Sequence, residues 1–386
     1  MKVLHVSPSI ALSYGGPTHS LAGYAVAART AGIEVSIAAP RCSAADVESF
    51  VARAGKTDLH LFPSLGTGGF ATSPALIGWV RRSAASYDVV HVHGLFNPTS
   101  SLSARMALAS SAATVIRPFG TLSRYTFHHR RTALKRAYFK LVERRNLRAA
   151  DALHFTTERE RNEADWHGID FTARAYVIPP PSLDNPINAP RIDSISDGVK
   201  VLFLGRINPV KNLECLIDAW PLVHSKVPNS QLQVAGDGDP AYVAGLRERA
   251  SRNGVDESIK FTGFVSGARK EQLLASASVF VLPSHHENFG VAALEAIGAG
   301  VPVVLSPDVH LADFVLLEGV GRVAAPRAES LAETIRELIG DEQARRHVRE
   351  RGKEIVSRRF STEVIGGLLS VMYRAAIERS GTIATS

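Results

Sequence analysis

Residues Val279–Leu305 read VFVLPSHHENFGVAALEAIGAGVPVVL, a strand, a loop, a helix and a second strand in succession. The apolar runs Val279–Leu282 and Val301–Leu305 predict buried strands. Between them, Gly290 and Gly300 mark the start and the end of a short apolar helix. A helix between two apolar strands is typical of a parallel sheet that is covered by helices.

The same alternation extends along the whole chain. In the first half, strands are expected at Val3–Val6, Glu34–Ala38, Leu59–Phe62, Val89–His93, Thr114–Ile116, Ala152–Phe155 and Ala175–Ile178. In the second half, they are expected at Lys200–Leu204, Gln231–Ala235, Ile259–Thr262, Val279–Leu282, Val301–Leu305 and Gly321–Ala324. The fold class is therefore α/β, with a doubly wound domain in each half.

A proline-rich stretch separates the halves, with five prolines in the twelve residues Pro179–Pro190. Such a stretch forms neither a helix nor a central strand. We expect a first domain at 1–180, a linker at 181–198, a second domain at 199–360 and a final helix at 361–380. Helix-spaced apolar residues indicate that the final helix packs on another element; they are Val364, Ile365, Leu368, Leu369 and Met372.

Composition excludes several classes of protein. With 386 residues, the chain exceeds a single core of roughly 150 residues. Its 45% hydrophobic and 21% charged residues exclude a disordered chain, a collagen-like repeat and a polytopic membrane protein. The two cysteines, Cys42 and Cys215, predict reduced thiols in a cytosolic protein. The N-terminus predicts a short strand instead of a signal peptide.

The positive charge is concentrated in the first half. Residues 1–190 carry 21 Lys and Arg against 13 Asp and Glu, whereas residues 191–386 carry 23 against 24. The segment Arg124–Arg148 alone has nine basic residues and one acidic residue, Glu143. This distribution favours an anionic partner such as a phosphate, a nucleic acid or an anionic membrane face.

Two cations follow the strand that ends at Leu204. Gly205 and Arg206 come directly after it, and Lys211 stands where the next helix is expected to begin. Loops at the carboxyl ends of parallel strands face the ligand crevice, and a helix N-terminus favours anions. Arg206 and Lys211 are therefore candidates for binding a diphosphate, although solvated surface cations would give the same pattern.

Two carboxylates lie in the opening stretch. Glu295 falls in the apolar helix, where a carboxylate is costly unless it is paired or accepts strong hydrogen bonds, and ligand hydroxyls supply such bonds. A structural charge at the helix start is the alternative. Glu287 and Glu295 could also form a glycosidase pair, but eight helical residues separate them by roughly 12 Å. Hydrolase pairs lie about 5–9.5 Å apart, which disfavours that hypothesis.

Five sequence blocks together resemble the family 4 retaining glycosyltransferases. Glu287 and Glu295, separated by seven residues within PSHHENFGVAALEAIGAGVPVV, match the family's signature, and GRINPVKNL at 205–213 matches its phosphate motif. The remaining blocks are VAGDG at 234–238, FTGF at 261–264 and GGPTHSLA at 15–22. The resemblance implies the GT-B fold, in which two Rossmann-like domains face each other across a cleft and a C-terminal helix returns to the first domain.

The resemblance also implies roles for individual residues. Arg206 and Lys211 would neutralise the diphosphate of a nucleotide sugar, and Glu287 would contact hydroxyls of the donor sugar. Glu295 would accept hydrogen bonds from the ribose hydroxyls, while Phe264 and Val265 would bind the base largely through the backbone. The full set of implied donor-binding residues is Glu295, Gly15, Gly16, Phe289, Gly290, Val291, Phe264 and Val265.

The chemistry implied is transfer of the sugar with retention. Breaking the anomeric C–O bond builds negative charge on the leaving diphosphate, and cations at that point stabilise the transition state more than the ground state. The resemblance implies neither an enzymic nucleophile nor a cofactor. Asp237 and Asp239 imitate a metal-binding D-x-D pair, but we interpret them as a turn and expect no metal requirement.

Two histidines near a strand end are a second candidate for binding a metal ion. His91 and His93 share one face of a strand, and no third ligand is evident from the sequence. We favour His93 as a cleft residue on the acceptor side. In the loop after the fifth strand of the first half, similar sequences often carry His-Gly, whereas this chain has Arg117, Phe119 and Gly120. Either the alignment slips there, or Arg117 substitutes electrostatically, or this protein acts differently at that point. Because Phe119 cannot transfer a proton, this loop departs from the family's pattern.

The basic segment 125–148 has two interpretations. An amphipathic basic helix lies readily on an anionic membrane surface, and similar enzymes often use lipid-linked acceptors at the cytoplasmic face. A solvated helix packed on its own domain is the alternative. No nucleic-acid-binding module is recognised.

We expect a cytoplasmic enzyme, peripheral to the membrane in the first interpretation, that transfers a sugar from a nucleotide sugar to a saccharide or lipid-linked acceptor. Two alternatives stay open: a non-catalytic nucleotide-sugar-binding partner, and a nucleotide-sugar epimerase of the same architecture.

Overall fold

The computed structural model of the protein describes residues 1–66, 72–128, 132–183 and 198–384. The chain divides into two compact units. Unit 1 comprises Met1–Leu183 and Phe360–Ser386, and unit 2 comprises Asp184–Arg359. Most of the expected linker at 181–198 lies outside the described residues, since 184–197 are not among them.

Unit 1 contains a sheet of seven parallel strands. They are β1 Lys2–Val6, β2 Glu34–Pro40, β3 Asp58–Phe62, β4 Val89–His93, β5 Ala113–Arg117, β6 Ala152–Phe155 and β7 Ala175–Val177. Their order in the sheet is β3-β2-β1-β4-β5-β6-β7. The chain therefore moves outward from β1 in one direction and then from β4 in the other, so the loops after β1 and β4 meet at a topological switch point.

Helices cover both faces of this sheet. They are α1 Gly16–Thr30, α2 Ala44–Ala54, α3 Pro74–Ser83, α4 Pro98–Ala107, α5 Arg124–His128, α6 Thr132–Tyr138, α7 Arg144–Ala149 and α8 Glu158–Ala164. A single π-helical turn, Phe139–Glu143, joins α6 to α7. Among the described helices of the chain, none is long and apolar enough to cross a bilayer.

The last helix of the chain, α16 Thr362–Ala384, belongs to unit 1 and packs on α1. Ile365, Leu369 and Met372 are fully buried there in the same apolar cluster as α1 residues. Gly366 permits this approach, because a Cβ at that position would lie 2.2 Å from the carbonyl oxygen of Ala27. The expectation that the final helix packs on another element is confirmed, but Val364 and Leu368 point away from the core, with 38% and 40% exposure.

Unit 2 repeats the architecture with six parallel strands. They are β8 Val199–Leu204, β9 Ser230–Ala235, β10 Ile259–Gly263, β11 Val279–Leu282, β12 Val303–Leu305 and β13 Gly321–Val323. Their order is β10-β9-β8-β11-β12-β13, which places the switch point between β8 and β11. The helices are α9 Leu213–His224, α10 Pro240–Arg252, α11 Gly267–Ser276, α12 Val291–Gly298, α13 Ala312–Glu318, α14 Ala328–Gly340 and α15 Glu342–Phe360.

The predicted fold class, two doubly wound Rossmann-like domains with a C-terminal helix that returns to the first, is confirmed. Each expected strand is present, within two residues of its expected bounds. The start of β12 shifts most, from Val301 to Val303. The N–H of Val301 donates to the carbonyl oxygen of Ala296 at the end of α12, and Pro302 has no N–H to donate.

Candidate active site

The switch point of unit 2 brings two predicted site residues together. Lys211 lies in the loop after β8, and Glu287 lies in the loop after β11. Because β8 and β11 are neighbours in the sheet, their loops leave the same edge side by side. The ammonium of Lys211 forms an ion pair with Oε2 of Glu287, with the two side chains 18% and 22% exposed.

Two hydrogen bonds hold these loops against each other. The N–H of His285 donates to the carbonyl oxygen of Val210 at 2.8 Å. The side-chain amide of Asn212 donates to the carbonyl oxygen of Pro283 at 3.2 Å. Asn212 adopts a left-handed conformation with φ 54°, which asparagine tolerates better than most residues, and it precedes the first residue of α9. The backbone thus fixes where Lys211 meets Glu287.

Arg206 begins the same loop but is exposed to solvent. Its neighbours pack tightly against the loop after β9: a Cβ at Gly236 would lie 1.9 Å from the carbonyl oxygen of Gly205, and one at Gly238 would lie 2.0 Å from that of Ile207. Glycine is therefore required in the segment Val234–Gly238 for packing within unit 2. Arg206 shares a loop with Lys211 and extends toward solvent.

The aspartates of that segment have structural partners. Asp237 accepts a hydrogen bond from the N–H of Phe264 at 3.1 Å, and Asp239 caps α10 by accepting from the N–H of Tyr242 at 3.0 Å. These contacts agree with the interpretation of the segment as a turn. They also engage the backbone N–H of Phe264, one of the groups expected to bind the base, while the Phe264 side chain is 58% exposed and Val265 is partly buried.

The start of α12 supplies backbone donors. Phe289 is buried, Gly290 has φ 99°, and the helix begins at Val291. The first intrahelical bonds run from the N–H groups of Ala293 and Leu294 to the carbonyl oxygen of Gly290. The preceding N–H groups have no acceptor within the helix, which makes this end a favourable position for an anion.

Glu295 has a partner that the sequence did not reveal. Oε2 of Glu295 lies 2.6 Å from the ammonium of Lys270, and the two side chains are 21% and 20% exposed. Lys270 belongs to α11 and lies 25 residues upstream of Glu295 in the sequence. We name Lys211–Glu287 and Lys270–Glu295 the two lysine–glutamate pairs. Each glutamate of the signature has its own lysine.

In unit 1, the glycine-rich loop precedes α1. Gly15 has φ 87°, a conformation that favours glycine, and Gly16 is the first residue of the helix. A Cβ at Gly16 would meet no atom of the described protein within 4 Å. The described contacts of unit 1 therefore do not require glycine at position 16.

The switch point of unit 1 carries a buried group of imidazoles, which we name the histidine layer. His5 is the register partner of His91, and His93 is the register partner of Arg117. The members of the layer are His5, His91, His93 and His154, each at most 5% exposed. Their rings pack against one another with centroid separations of 4.3–5.2 Å. The expected cleft residue His93 is thus buried.

Hydrogen bonds fix the protonation of half of this layer. Nε2 of His154 donates to the carbonyl oxygen of Ile178 at 2.7 Å, so Nδ1 of the neutral ring accepts, at 3.3 Å, from Nε2 of His91. Nδ1 of His91 then accepts from the hydroxyl of Tyr373, on α16, at 2.9 Å. Burial lowers the pKa of His91, His93 and His154 well below the usual value, and it lowers the pKa of His5 to about 3.

His5 is a third histidine beside the expected pair. Nitrogen atoms of His5, His91 and His93 lie within 4.8 Å of one another, which is close enough for a metal ion. Two features disfavour that use: both nitrogens of His91 are engaged, and the buried cation Arg117, whose charge also lowers the pKa of His5, would repel a second cation. We interpret the layer as a hydrogen-bonded part of the core, and the expected absence of a metal stays a prediction.

Arg117 is itself 1% exposed and is clamped between two rings. Its guanidinium lies 4.6 Å from the ring centroid of Tyr24 and 4.2 Å from that of Phe119. It donates to the hydroxyls of Ser20 and Thr156, each at 3.1 Å. These contacts stabilise a buried charge that is otherwise expensive.

Phe119 and Gly120 adopt left-handed conformations with φ 59° and 70°. For a bulky residue such as phenylalanine, this conformation is strained. The N–H of Gly120 donates to the carboxylate of Glu160, which also accepts from the N–H of Thr156 at 2.7 Å. The loop that departs from the family's pattern is therefore held by a buried carboxylate, and its phenylalanine covers the guanidinium of Arg117.

Family models match both halves of the chain. The model described as glycosyl transferases group 1 matches residues 186–355, and the model described as glycosyl transferase 4-like domain matches residues 15–181. The first therefore matches most of unit 2, and the second matches most of unit 1.

Curated relatives agree with these models. An uncharacterised glycosyltransferase of Methanocaldococcus jannaschii is 33% identical over 202 residues, which are 52% of this chain and 51% of the relative. The chain thus spans about half the length of that relative. A phosphatidyl-myo-inositol mannosyltransferase of Mycobacterium leprae is 29% identical over 385 residues, which are 96% of this chain and 94% of the relative.

Solved structures share the fold. HepE of Anabaena, in complex with UDP and glucose, has a TM-score of 0.75 at 20% identity, covering 96% of this chain and 98% of that one. Sucrose-phosphate synthase of Thermosynechococcus elongatus has a TM-score of 0.75 at 19% identity, covering 100% of both chains. With both halves matched in order and the glycosyltransferase signature at the switch point of unit 2, the chain belongs to the family 4, or group 1, glycosyltransferases of the GT-B fold.

Proposed function

We propose that the protein transfers a sugar, with retention of anomeric configuration, from a nucleotide-diphosphate sugar to a saccharide or lipid-linked acceptor. The contact between Lys211 and Glu287 at the switch point of unit 2 carries the proposal. This edge of the sheet is where doubly wound folds bind ligands. HepE, with UDP and glucose, and the mannosyltransferase of M. leprae support the same class of donor and reaction.

The proposed roles of the site residues follow from their charges. Arg206, Lys211 and the backbone N–H groups at the start of α12 would hold the diphosphate and stabilise the negative charge that develops as it leaves. Glu287, which orients Lys211, would accept hydrogen bonds from hydroxyls of the donor sugar. Gly16 at the start of α1 would let the backbone approach a ligand, since the chain's own described packing does not require glycine there.

Because Arg206 and Lys211 would supply two positive charges at the leaving diphosphate, we propose that the reaction requires no metal ion. The acceptor would enter on the face from which the diphosphate departs, and the leaving phosphate would take the acceptor's proton. No side chain is assigned as a nucleophile.

Ligand binding and product analysis test the proposal. The melting temperature is measured with UDP, GDP, ADP, dTDP and their common sugar conjugates, since a ligand bound only to the folded state raises it. With the active donor, Lys211→Ala and Glu287→Ala should each lower turnover by about 10²–10³-fold or more while the protein stays folded. Lys226→Ala, which removes an exposed lysine elsewhere on unit 2, is the control.

The products separate the alternatives. Transfer with retention, seen by NMR of the anomeric proton, supports the proposal. Binding without turnover would assign a non-catalytic role, and an isomerised donor would assign an epimerase. Full activity of either site variant would contradict the site.

The basic segment adds a proposed surface partner, an anionic membrane. Its described part forms α5, α6, the π-helical turn and α7, with 129–131 outside the described residues. Leu134 and Leu141, seven residues apart, are 61% and 73% exposed among the basic residues. Exposed apolar side chains beside cations suit an anionic bilayer surface. Co-sedimentation with phosphatidylglycerol vesicles should fall in Leu134→Ser/Leu141→Ser, and phosphatidylcholine vesicles should bind neither form.

A further inference from the structure

The pair Lys270–Glu295 joins two helices that start at different loops. Lys270 lies in the first turns of α11, and Glu295 lies near the middle of α12. The ammonium and the carboxylate are 2.6 Å apart, and both side chains are about four-fifths buried, with 20% and 21% exposure. A contact this short between charged groups is among the stronger hydrogen bonds in proteins.

The surroundings of Glu295 explain why a cation is needed. The residues that share its face of α12, Val291, Ala292 and Gly298, offer no polar side chain and are partly buried. A largely buried carboxylate is costly in such a setting unless it is paired. Lys270 therefore supports the ionised form of Glu295 and restricts the direction in which its carboxylate points.

The position of Lys270 connects two parts of the proposed donor site. Phe264 and Val265, the residues proposed to contact the base, lie in the loop before α11, and Phe264 is 58% exposed. Lys270 follows them by one helical turn and reaches the carboxylate proposed to bind the ribose. One short segment, 264–270, thus spans both positions.

We infer that Lys270 is a positioning residue for nucleotide recognition, which makes the protein discriminate ribonucleotides from deoxyribonucleotides through Glu295. The inference rests on the proposed function. An ionised carboxylate accepts at about four lone-pair positions, so a carboxylate that is paired with an ammonium can also accept hydrogen bonds from hydroxyls. Lys270 fixes the direction of the Glu295 carboxylate, and the ribose hydroxyls donate to the same carboxylate.

The test compares affinities for matched nucleotides by calorimetry. UDP, GDP and ADP are measured against dUDP, dGDP and dADP, and the base with the highest affinity for the unmodified protein is retained. We expect the unmodified protein to prefer the ribonucleotide by about tenfold or more, which corresponds to about 1.4 kcal/mol. In Lys270→Met the preference should fall below about threefold. With the active donor, KM should rise in this variant while kcat changes less than about twofold, because the diphosphate contacts are intact.

Two further variants exclude a purely structural effect. Arg269→Met removes an exposed cation next to Lys270 and should keep the full preference. Lys270→Arg keeps the positive charge and should retain most of the preference. Circular dichroism establishes that each variant is folded, and if Lys270→Met is not, the comparison uses Lys270→Gln.

The outcomes distinguish this inference from the function on which it rests. A tenfold preference that persists in folded Lys270→Met would overturn the inference alone. Equal affinities of the unmodified protein for the ribo- and deoxyribonucleotide would also overturn it, without affecting the proposed transfer. Failure of the unmodified protein to bind any of the nucleotides would overturn the proposed function as well.

Discussion

The two switch points of the molecule occupy equivalent places in equivalent sheets, yet they differ in charge and exposure. In unit 1, the histidine layer on β1, β4 and β6 and Arg117 on β5 are buried, with exposures of at most 5%. At β8 and β11 of unit 2, the pair Lys211–Glu287 keeps 18% and 22% exposure. In unit 1 the polar side chains satisfy one another inside the core, whereas in unit 2 opposite charges meet where solvent still reaches them.

The comparison shows that a switch point alone does not define a site. Burial lowers the pKa of the imidazoles, so they act as neutral hydrogen-bonding groups, and their partners are other core residues such as Tyr373 and Ile178. A partly exposed ion pair contributes little to stability and can exchange partners with a charged ligand. Stability should therefore depend on polar groups in unit 1, and ligand binding on those in unit 2.

Acid should produce the largest difference between the units, because it should lower the free energy of unfolding of unit 1 more than that of unit 2. A histidine in the unfolded chain titrates near 6.5, whereas His5 in the folded protein titrates at about 3. Between these values the unfolded state binds a proton that the folded state does not, so the free energy of unfolding decreases as pH falls below 6.5. For His5 alone the loss at pH 5 is about 2 kcal/mol, and the lowered pKa values of His91, His93 and His154 add to it.

The stability of each unit is measured in the whole protein by urea unfolding at pH 7.5 and at pH 5. Pulsed hydrogen exchange, carried out at one fixed pH, reports which strands remain protected at each urea concentration. Protection in β1 and β4 should be lost at much lower urea at pH 5, and protection in β8 and β9 should change less. His60→Gln, which replaces a partly exposed histidine of unit 1, should leave the difference between the units unchanged. Equal loss of protection in both units would contradict the prediction that acid destabilises unit 1 more than unit 2.

Removal of Arg117 should have the next largest effect. In Arg117→Met, the carboxylate of Glu160 loses the buried cation near it, and the rings of Tyr24 and Phe119 lose the guanidinium between them. Breaking a buried charge arrangement from one side costs about 3–5 kcal/mol of unfolding free energy. The same urea assay measures it, with Arg105→Met, on the exposed face of α4, as the control. A loss below 1 kcal/mol would show that Arg117 is not essential to unit 1.

The smallest effect is expected from the lysines of unit 2. Lys211→Met and Lys270→Met each remove one member of a pair whose side chains are about one-fifth exposed. Each should lower the free energy of unfolding of unit 2 by about 1–2 kcal/mol, less than Arg117→Met, because solvent still reaches the carboxylate that remains. The exchange assay reports this from β8 and β9. A loss of 3 kcal/mol or more in either variant would place that lysine with Arg117, as a residue on which folding depends.

Local patterns were sufficient to predict the framework. The strands follow from apolar runs with turn residues between them, and the alternation with helices predicts parallel sheets. Lys211 and Glu287 were each predicted to lie in a loop after a strand, but their contact depends on β8 and β11 being neighbours in the sheet. The face of α16 was only half predicted, since Val364 and Leu368 fit the spacing but lie away from α1.

Contacts between separate elements could not be predicted in the same way. His91 and His93 share a strand, but His5 and His154 join them only through the strand order of the sheet. Lys270 on α11 reaches Glu295 on α12 across 25 residues of sequence, and the sequence around Lys270 resembles that of any exposed helix start. The strained φ of Phe119 has no local sequence signal, and the N–H of the next residue, Gly120, donates to Glu160, 40 residues away in the sequence.

The assignment of α16 to unit 1 has a consequence for synthesis on the ribosome. Unit 2 is inserted between the main part of unit 1 and the helix that covers it, so translation delivers α16 after unit 2. Until then the nascent unit 1 lacks the cover over α1, and His91 lacks the hydroxyl of Tyr373. Unit 2 is contiguous and can fold as soon as it emerges. Although domains generally fold from the N-terminus onward during synthesis, here the unit begun first is the one completed last.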